Sequence, residues 1–430
     1  MKGRWGSLKF IVPLLLVLPV GFRAGGWLLH SDGRLKFDAK TSDQGRELFL
    51  HEWTPNDPLA AAGDGLGPVF NAASCAACHK QAALGGGGPL ENNVTVFTRV
   101  SKTSRDASQG VVHGFATDDS FRETLANVST HFPNSSQPPL SDLLPSGSGG
   151  CISPPKIGTV PGVDVTQRNT PALFGASLID AIPDRLIIAN ERKQRLKWGL
   201  SDSDTDDFPV GRAIRLSEGR VGKFGWKAHV GSLSEFVRVA CANELGLGND
   251  AQAQPVSLSK ASYRPRGLDL TNAQCDQITA FVASLPQPKE IIPDSAEDAK
   301  RAASGKKLFN SVGCADCHIP DMGDAKGIYS DLLLHRMGST LVGGGTYGDP
   351  PPDLPAFVEG GGPQPSEWRT PPLWGVADSA PYLHDGRAAT LFDAIKLHAG
   401  QASKSVAKYA ELSADQRDEL MTFLYTLKAP

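Results

Sequence analysis

The sequence predicts a mainly α-helical chain made of two similar units joined by long irregular loops. Three observations lead there. The pattern Cys-x-x-Cys-His occurs twice, at Cys75, Cys78 and His79 and again at Cys314, Cys317 and His318. A helix-like segment precedes each copy, "SDQGRELFLHEW" before the first and "EDAKRAASGKKLFNSVG" before the second. Two closing segments also match each other, "LTNAQCDQITAFVASLP" from Leu270 and "LSADQRDELMTFLYTLKAP" from Leu412. With 46 Gly and 32 Pro among 430 residues, the connections between modest helices must be long.

The elements follow in chain order. Lys2, Arg4 and Lys9 precede an apolar run from Phe10 to Phe22, which suits a secretory segment and is short for a membrane span. Residues 1–26 are therefore expected to be a signal peptide, cut around Ala24 to Gly26, or an uncleaved N-terminal anchor. Either form places the chain in the periplasm or otherwise outside the cytoplasm. The first unit is expected over 38–288 and the second over 295–430. Three prolines in "SLPQPKEIIPDS" break the pattern between them. In the closing segments, Leu270, Ile278, Phe281, Val282 and Leu285 repeat as Leu412, Leu420, Phe423, Leu424 and Leu427 at helical spacing. Each begins on a Thr or Ser placed to cap its helix. Residues 133–155, rich in Pro, Ser and Gly, read as an irregular excursion carrying Cys151.

Cys-x-x-Cys-His is the attachment pattern of a c-type haem. Its thiols add to the porphyrin vinyl groups and the adjacent imidazole ligates the iron. Two copies predict two covalently bound haems, on His79 and on His318. A zinc site or a redox dithiol would make the following histidine incidental, twice over. What occupies the sixth iron position then decides between electron transfer and chemistry on a small oxidant.

Two further internal matches bear on that position. "NTPALFG" from Asn169 is similar to "RTPPLWG" from Arg369, and "GWKAHVGSLSEFV" from Gly225 to "LHDGRAATLFDAI" from Leu383. Aligning Leu233 with Leu391 sets Trp226 opposite His384 and Ala240 opposite His398. His398 then ends a helix as a candidate second ligand to the His318 haem, whereas Ala240 cannot ligate iron. The expectation is one haem held by His318 and His398 and another, on His79, with an open face. His113 and His51 are candidate resting ligands for that face, with a surface position the plain alternative for His113. Met322 and Met337 are alternative sulfur ligands for the second haem.

The stretches "GLGPVFNAASCAACH", "NTPALFGASLIDAIP", "GRVGKFGWKAHVGSL" and "RTPPLWGVADSAPYLHDGRAATLFDAIKLH" resemble the di-haem oxidoreductase branch of the di-haem cytochrome c peroxidase superfamily. With the final helix, they are spread from about residue 45 to 428. The resemblance implies two cytochrome c-like domains with one covalent haem each and a peroxidase-like oxidoreductase drawing on a small redox protein. It implies that Trp226 bridges the haems, although "DGRA" is replaced by residues 227 to 230, and that Glu244 is the acid/base over the open haem. His384 would support the second haem without ligating it.

Composition excludes little else. A net charge of −3 gives no reason to expect a nucleic-acid partner. "GDGLGP" and "GGGGP" lack the strand, helix and lysine of a phosphate cradle and read as loops. The acidic run 201–207 is either a calcium loop or simply solvated. Of the cysteines outside the motifs, Cys151, Cys241 and Cys275, one disulfide is expected, Cys241–Cys275 first, with buried free thiols as the alternative. Competing activities are a pure electron carrier with both irons fully ligated, and oxidation of an organic or protein substrate.

Overall fold

The computed structural model describes residues 28–29, 35–99, 108–123, 163–198, 207–255, 257–260, 262–345, 347 and 361–430. The expected leader 1–26, the excursion 133–155 with Cys151, and all but the last residue of the acidic run 201–207 lie outside them, and the calcium reading with that run. Among the described residues no helix is long and apolar enough to cross a membrane.

A short antiparallel pair, β1 (Leu28–Leu29) and β2 (Leu35–Lys36), precedes α1 (Ala39–Leu50), whose first turn is capped by Asp38 accepting from the Thr41 amide. A loop then carries β3 (Val69–Phe70) and the single turn α2 (Cys75–Cys78). β4 (Val94–Arg99) pairs antiparallel with β5 (Ser108–Val112) on one side and β7 (Val163–Arg168) on the other, while β6 (Phe115–Ala116) returns to β3. α3 (Ala176–Asp180), α4 (Asp184–Trp198), α5 (Leu233–Leu245) and α6 (Asn272–Ser284) complete the first half. The second half runs α7 (Ala296–Val312), the pair β8 (Leu334–Arg336) and β9 (Glu367–Arg369), then α8 (Leu391–Leu397), α9 (Ser403–Glu411) and α10 (Ala414–Leu424). Helix takes 38% and strand 12%, so the fold is mixed rather than mainly α. The expectation missed the three-stranded sheet because "VTVFTR" is a short β-branched run inside what reads as loop.

The two halves repeat one packing motif. α1 lies on α6 and α7 lies on α10, and each closing helix has a capping box, Thr271 with Gln274 and Ser413 with Gln416, the cap worth about 1 kcal/mol each. Both crossings are closed by a glycine in the earlier helix. A Cβ on Gly45 would sit 1.7 Å from the Gln277 carbonyl oxygen, and one on Gly305 would sit 1.9 Å from that of Glu419. Four residues on, Phe49 meets Phe281 with ring centroids 5.0 Å apart, and Phe309 meets Phe423 at 5.5 Å. Burying each phenyl contributes roughly 2–3 kcal/mol. On α5 and α6, Cys241 and Cys275 are free buried thiols, so the first-choice disulfide is corrected to two core residues.

The alignment that sets Leu233 on Leu391 recurs in the backbone. Phe224 bridges Val230 as Tyr382 bridges Ala388. Gly225 and Leu383 both take positive φ, +78° and +71°. Ser232 and Thr390 cap the helices that follow. The halves also exchange like contacts: the Asn169 amide donates to the His384 carbonyl at 2.7 Å, and the Arg369 amide donates to the Trp226 carbonyl at 2.9 Å. The larger core draws on both sides of residue 290, since Met322, Ile328, Leu333 and Trp374 pack among first-half residues such as Phe281 and Leu233.

Candidate functional site

Each Cys-x-x-Cys-His loop is set against the phenylalanine of its preceding helix. Phe49 lies 6.3 Å from the His79 ring and Phe309 lies 6.4 Å from that of His318. His79 Nδ1 faces the Gly86 carbonyl at 3.2 Å, and His318 Nδ1 faces the Tyr329 carbonyl at 2.8 Å. A carbonyl only accepts, so Nδ1 carries the proton and Nε2 keeps the lone pair. Burial pushes both imidazoles down to about 4, so they stay neutral and able to ligate. Burial likewise pushes the thiols of Cys75, Cys78 and Cys314 up to about 12.

His398 comes to the second loop from the C-terminal cap of α8. Its Nδ1 donates to the Ala394 carbonyl at 2.7 Å, so its Nε2 is also the free nitrogen, and burial lowers its pKa. One cavity is lined by Cys314, Cys317, His318 and His398, and by Trp226 and His384. His398 is near enough to depress His318 electrostatically. The cavity's apolar walls, two neutral buried imidazoles and two buried thiols suit a large apolar macrocycle with a central metal. Arg369 and His384 also line it, and among the described residues the buried Arg369 Nη1 and His384 Nε2 have no hydrogen-bond partner, the Asp385 carboxylate standing 3.6 Å from the latter. Those orphans match the acidic edge of a haem.

Trp226 Nε1 donates to the Asn169 carbonyl at 2.9 Å, two residues before Pro171, whose carbonyl stands beside His79. The indole therefore lines the cavity of the second loop and bonds to the segment after β7 that supports the first. Beyond it lies a buried basic group of which sequence reasoning names His384 alone. His384 stacks on Trp368 at 3.6 Å, and Lys227 Nζ lies 3.6 Å from the Trp368 ring centroid. Burial, with Arg168 adding to it, brings Lys227 down to about 6, while Glu367 opposes the shift.

Glu244 sits on α5, close enough to Cys78 to raise its thiol pKa. Asn71 Nδ2 donates to Glu244 Oε2 at 2.8 Å, while Oε1 has no well-formed partner and the Tyr347 side chain stands alongside. Burial raises its pKa, against the lowering effects of Tyr347, Asn71 and His113. His113 is not a surface residue, nor can it ligate a metal as placed. It is buried, with Nδ1 on the Glu123 carboxylate and Nε2 on the Asn243 carbonyl, both at 2.9 Å. Two acceptors require both nitrogens to be protonated. Burial pulls its pKa down, but Glu123 and Glu244 outweigh that and raise it.

The other candidates separate. His51 Nε2 is held by the Asp57 carboxylate at 3.0 Å. Met322 is in the shared core, whereas Met337 lines the cavity. His229, also missed, has its Nε2 on the Tyr347 carbonyl at 3.1 Å, and Arg168 and Arg369 are its charged neighbours. Cys317, Asp331 and His335 bring three donor atoms within 4.8 Å. His335 is already taken, by Asp331 at 2.9 Å and Gln401 at 3.0 Å, and its pKa is raised because Cys317 and then Asp331 outweigh burial. Neither Tyr347 nor His335 has a motif around it that a sequence reading could use.

A doubled Cys-x-x-Cys-His architecture with buried neutral imidazoles defines a di-haem redox protein. A family model described as "di-haem oxidoreductase, putative peroxidase" matches residues 161–427, and the chain belongs to that family. Haem cofactors and a redox role follow from the family. Hydrazine synthase subunit gamma of Kuenenia stuttgartiensis is 32% identical over 109 residues, which is 21% of this chain and 31% of that protein. The chain thus matches about a third of the length of that curated relative. Among solved structures, the diheme peroxidase BthA of Burkholderia thailandensis aligns over 91% of this chain and 86% of its own, at 14% identity and a TM-score of 0.39. A MauG-like protein associated with microbial copper homeostasis aligns over 57% and 89%, at 18% identity and a TM-score of 0.29.

Proposed function

We propose that this chain is an extracytoplasmic c-type oxidoreductase that reduces hydrogen peroxide at a haem on His79, with electrons arriving through a second haem held by His318 and His398. Its two units, 38–288 and 295–430, would each carry one haem, covalently attached through Cys75 and Cys78 and through Cys314 and Cys317. The observation that carries the reading is the asymmetry between two otherwise repeated sites. A neutral histidine closes α8 beside the second loop, while the matching position on α5 is Ala240 and the same helix offers the carboxyl of Glu244 one turn on.

When bound, haem iron supplies a site for peroxide and a store for oxidising equivalents. The protein must then move a proton from the inner to the outer peroxide oxygen. Glu244 suits that task, because burial holds its pKa above the usual carboxyl range and Asn71 fixes its orientation. His113, protonated and anchored by Glu123, sits behind Asn243 and sets the electrostatic environment of Glu244. Trp226 is the bridging group, held by Asn169 between the two supports. Arg369 and His384 would meet the propionate edge of the haem.

The pure-carrier reading would need a permanent second ligand on the His79 haem. Neither His113, with both nitrogens donating, nor His51, held by Asp57, favours it. Electron paramagnetic resonance of the fully oxidised and half-reduced haem-loaded protein tests the assignment. One low-spin haem beside one that binds peroxide is the expected result. Two unchanging low-spin signals would establish a carrier instead.

A further inference from the structure

We propose that the outward face of α4 is the docking surface for a small acidic redox protein that delivers electrons to the second haem. The proposal rests on the electron-entry role given to that haem above. Arg185, Ile188, Ala189, Arg192, Lys193 and Leu196 recur at spacings of three and four and line one shallow groove along the helix. Leu196 is 83% exposed. The helix's two acidic residues are engaged elsewhere, Asp184 with Lys223 and Glu191 with Arg215. Among the described residues, the face therefore presents three cations and an apolar centre, and neither acidic residue of the helix lies on it.

Its position links it to the second haem. From the inner side of the same helix, Gln194 Nε2 donates to the Asp316 carbonyl at 2.8 Å, and the exposed Lys197 reaches round to pair with the Asp316 carboxylate. Asp316 lies between Cys314 and Cys317. A partner on the outer face is thus separated from the attachment loop by one helix thickness, about 10 Å. The stripe from Arg185 to Leu196 is roughly 16 Å long, the scale of a small, transient redox encounter. A membrane surface fits less well, because only Ile188, Ala189 and Leu196 supply apolar contact between the charges. Each encounter passes one electron, oxidising the donor once. Two encounters and two protons balance the reduction of one peroxide to two waters.

The test uses the full-length haem-loaded protein in stopped-flow reduction of the second haem. A reduced acidic blue-copper protein is compared with a reduced basic cytochrome c and a neutral hydroquinone. The acidic donor should react fastest, and its rate should fall as salt rises. Reversing two charges, Arg192→Glu with Lys193→Glu, should slow it on the order of tenfold and remove the salt dependence. Arg192→Lys with Lys193→Arg should keep the rate, and the hydroquinone rate should not change in any variant. An acidic-donor rate unaffected by charge reversal overturns the proposal, as does an equal loss with hydroquinone. Charge-dependent binding to phosphatidylserine vesicles without any effect on donor rate also overturns it. Failure of hydroquinone to reduce the second haem of the unmodified protein would instead count against that haem's electron-entry role.

Discussion

Replacing Glu244 by Gln isolates one proton from everything else at the first site. The amide oxygen can keep the 2.8 Å bond from Asn71 Nδ2, and the shape of the side chain is unchanged, so α5 and its cap have no reason to move. Only the ability to take and return a proton is lost. General acid–base assistance is worth about 10²–10⁴ in rate, so peroxide turnover should fall at least 100-fold, or about 2.7 kcal/mol of barrier. The pH profile adds a second reading. Burial raises the Glu244 pKa, so the native enzyme should show a limb above the ordinary carboxyl range that is missing from the Gln variant. Asn71→Ala should move that limb further up, because the lost hydrogen bond favours the charged form. Peroxide turnover followed against pH with a small reductant measures both effects. A Gln variant within threefold of the native rate, with the limb intact, would refute the role of Glu244.

His398→Ala should leave both haems attached and turn the second from low to high spin; a surviving low-spin signal would show that another group holds that iron. Gly305→Ala gains about 1 kcal/mol in helix propensity but drives a Cβ to 1.9 Å from a backbone oxygen, so a net loss of roughly 1–3 kcal/mol is expected in urea unfolding. A stabilised variant would mean that α7 and α10 do not cross there. His113 has a raised pKa, so its contribution is complete below the unfolded value near 6.5 and is lost as pH rises through the folded value. His113→Asn should remove that part of the pH dependence of unfolding, and an unchanged slope above pH 6.5 would show that His113 is not protonated in the fold.

What the sequence made legible was whatever repeats. The Cys-x-x-Cys-His loops, the capped closing helices and the Leu233–Leu391 alignment are local patterns, and each copy supports the reading of the other. The misses were tertiary. His113 read as a candidate ligand or a surface histidine because nothing near it in sequence shows that Glu123 and the Asn243 carbonyl will enclose it. Tyr347 reaches Glu244 from the other half of the chain, and the Trp368, His384 and Lys227 stack assembles a strand and two separate loops. Cys241 and Cys275 are on adjacent helices yet serve as core residues, a distinction that spacing alone cannot make.

The repeat also explains how one architecture can support two unlike sites. The halves meet through an exchange of equivalent contacts, Asn169 to His384 and Arg369 to Trp226. The two side chains carried on those equivalent loops are different in kind. Trp226 is an indole donating to Asn169, whereas His384 is a neutral imidazole stacked on Trp368, its pKa well below normal through burial and then Arg168. Divergence at the corresponding helix positions, Ala240 and His398, would on the proposed assignment change the ligand set, and neither position takes part in the crossings at Gly45 and Gly305. Those crossings set the phenylalanines beside His79 and His318. Under the proposed ligand assignment, a duplicated fold would carry two haems while only one of them has a second imidazole.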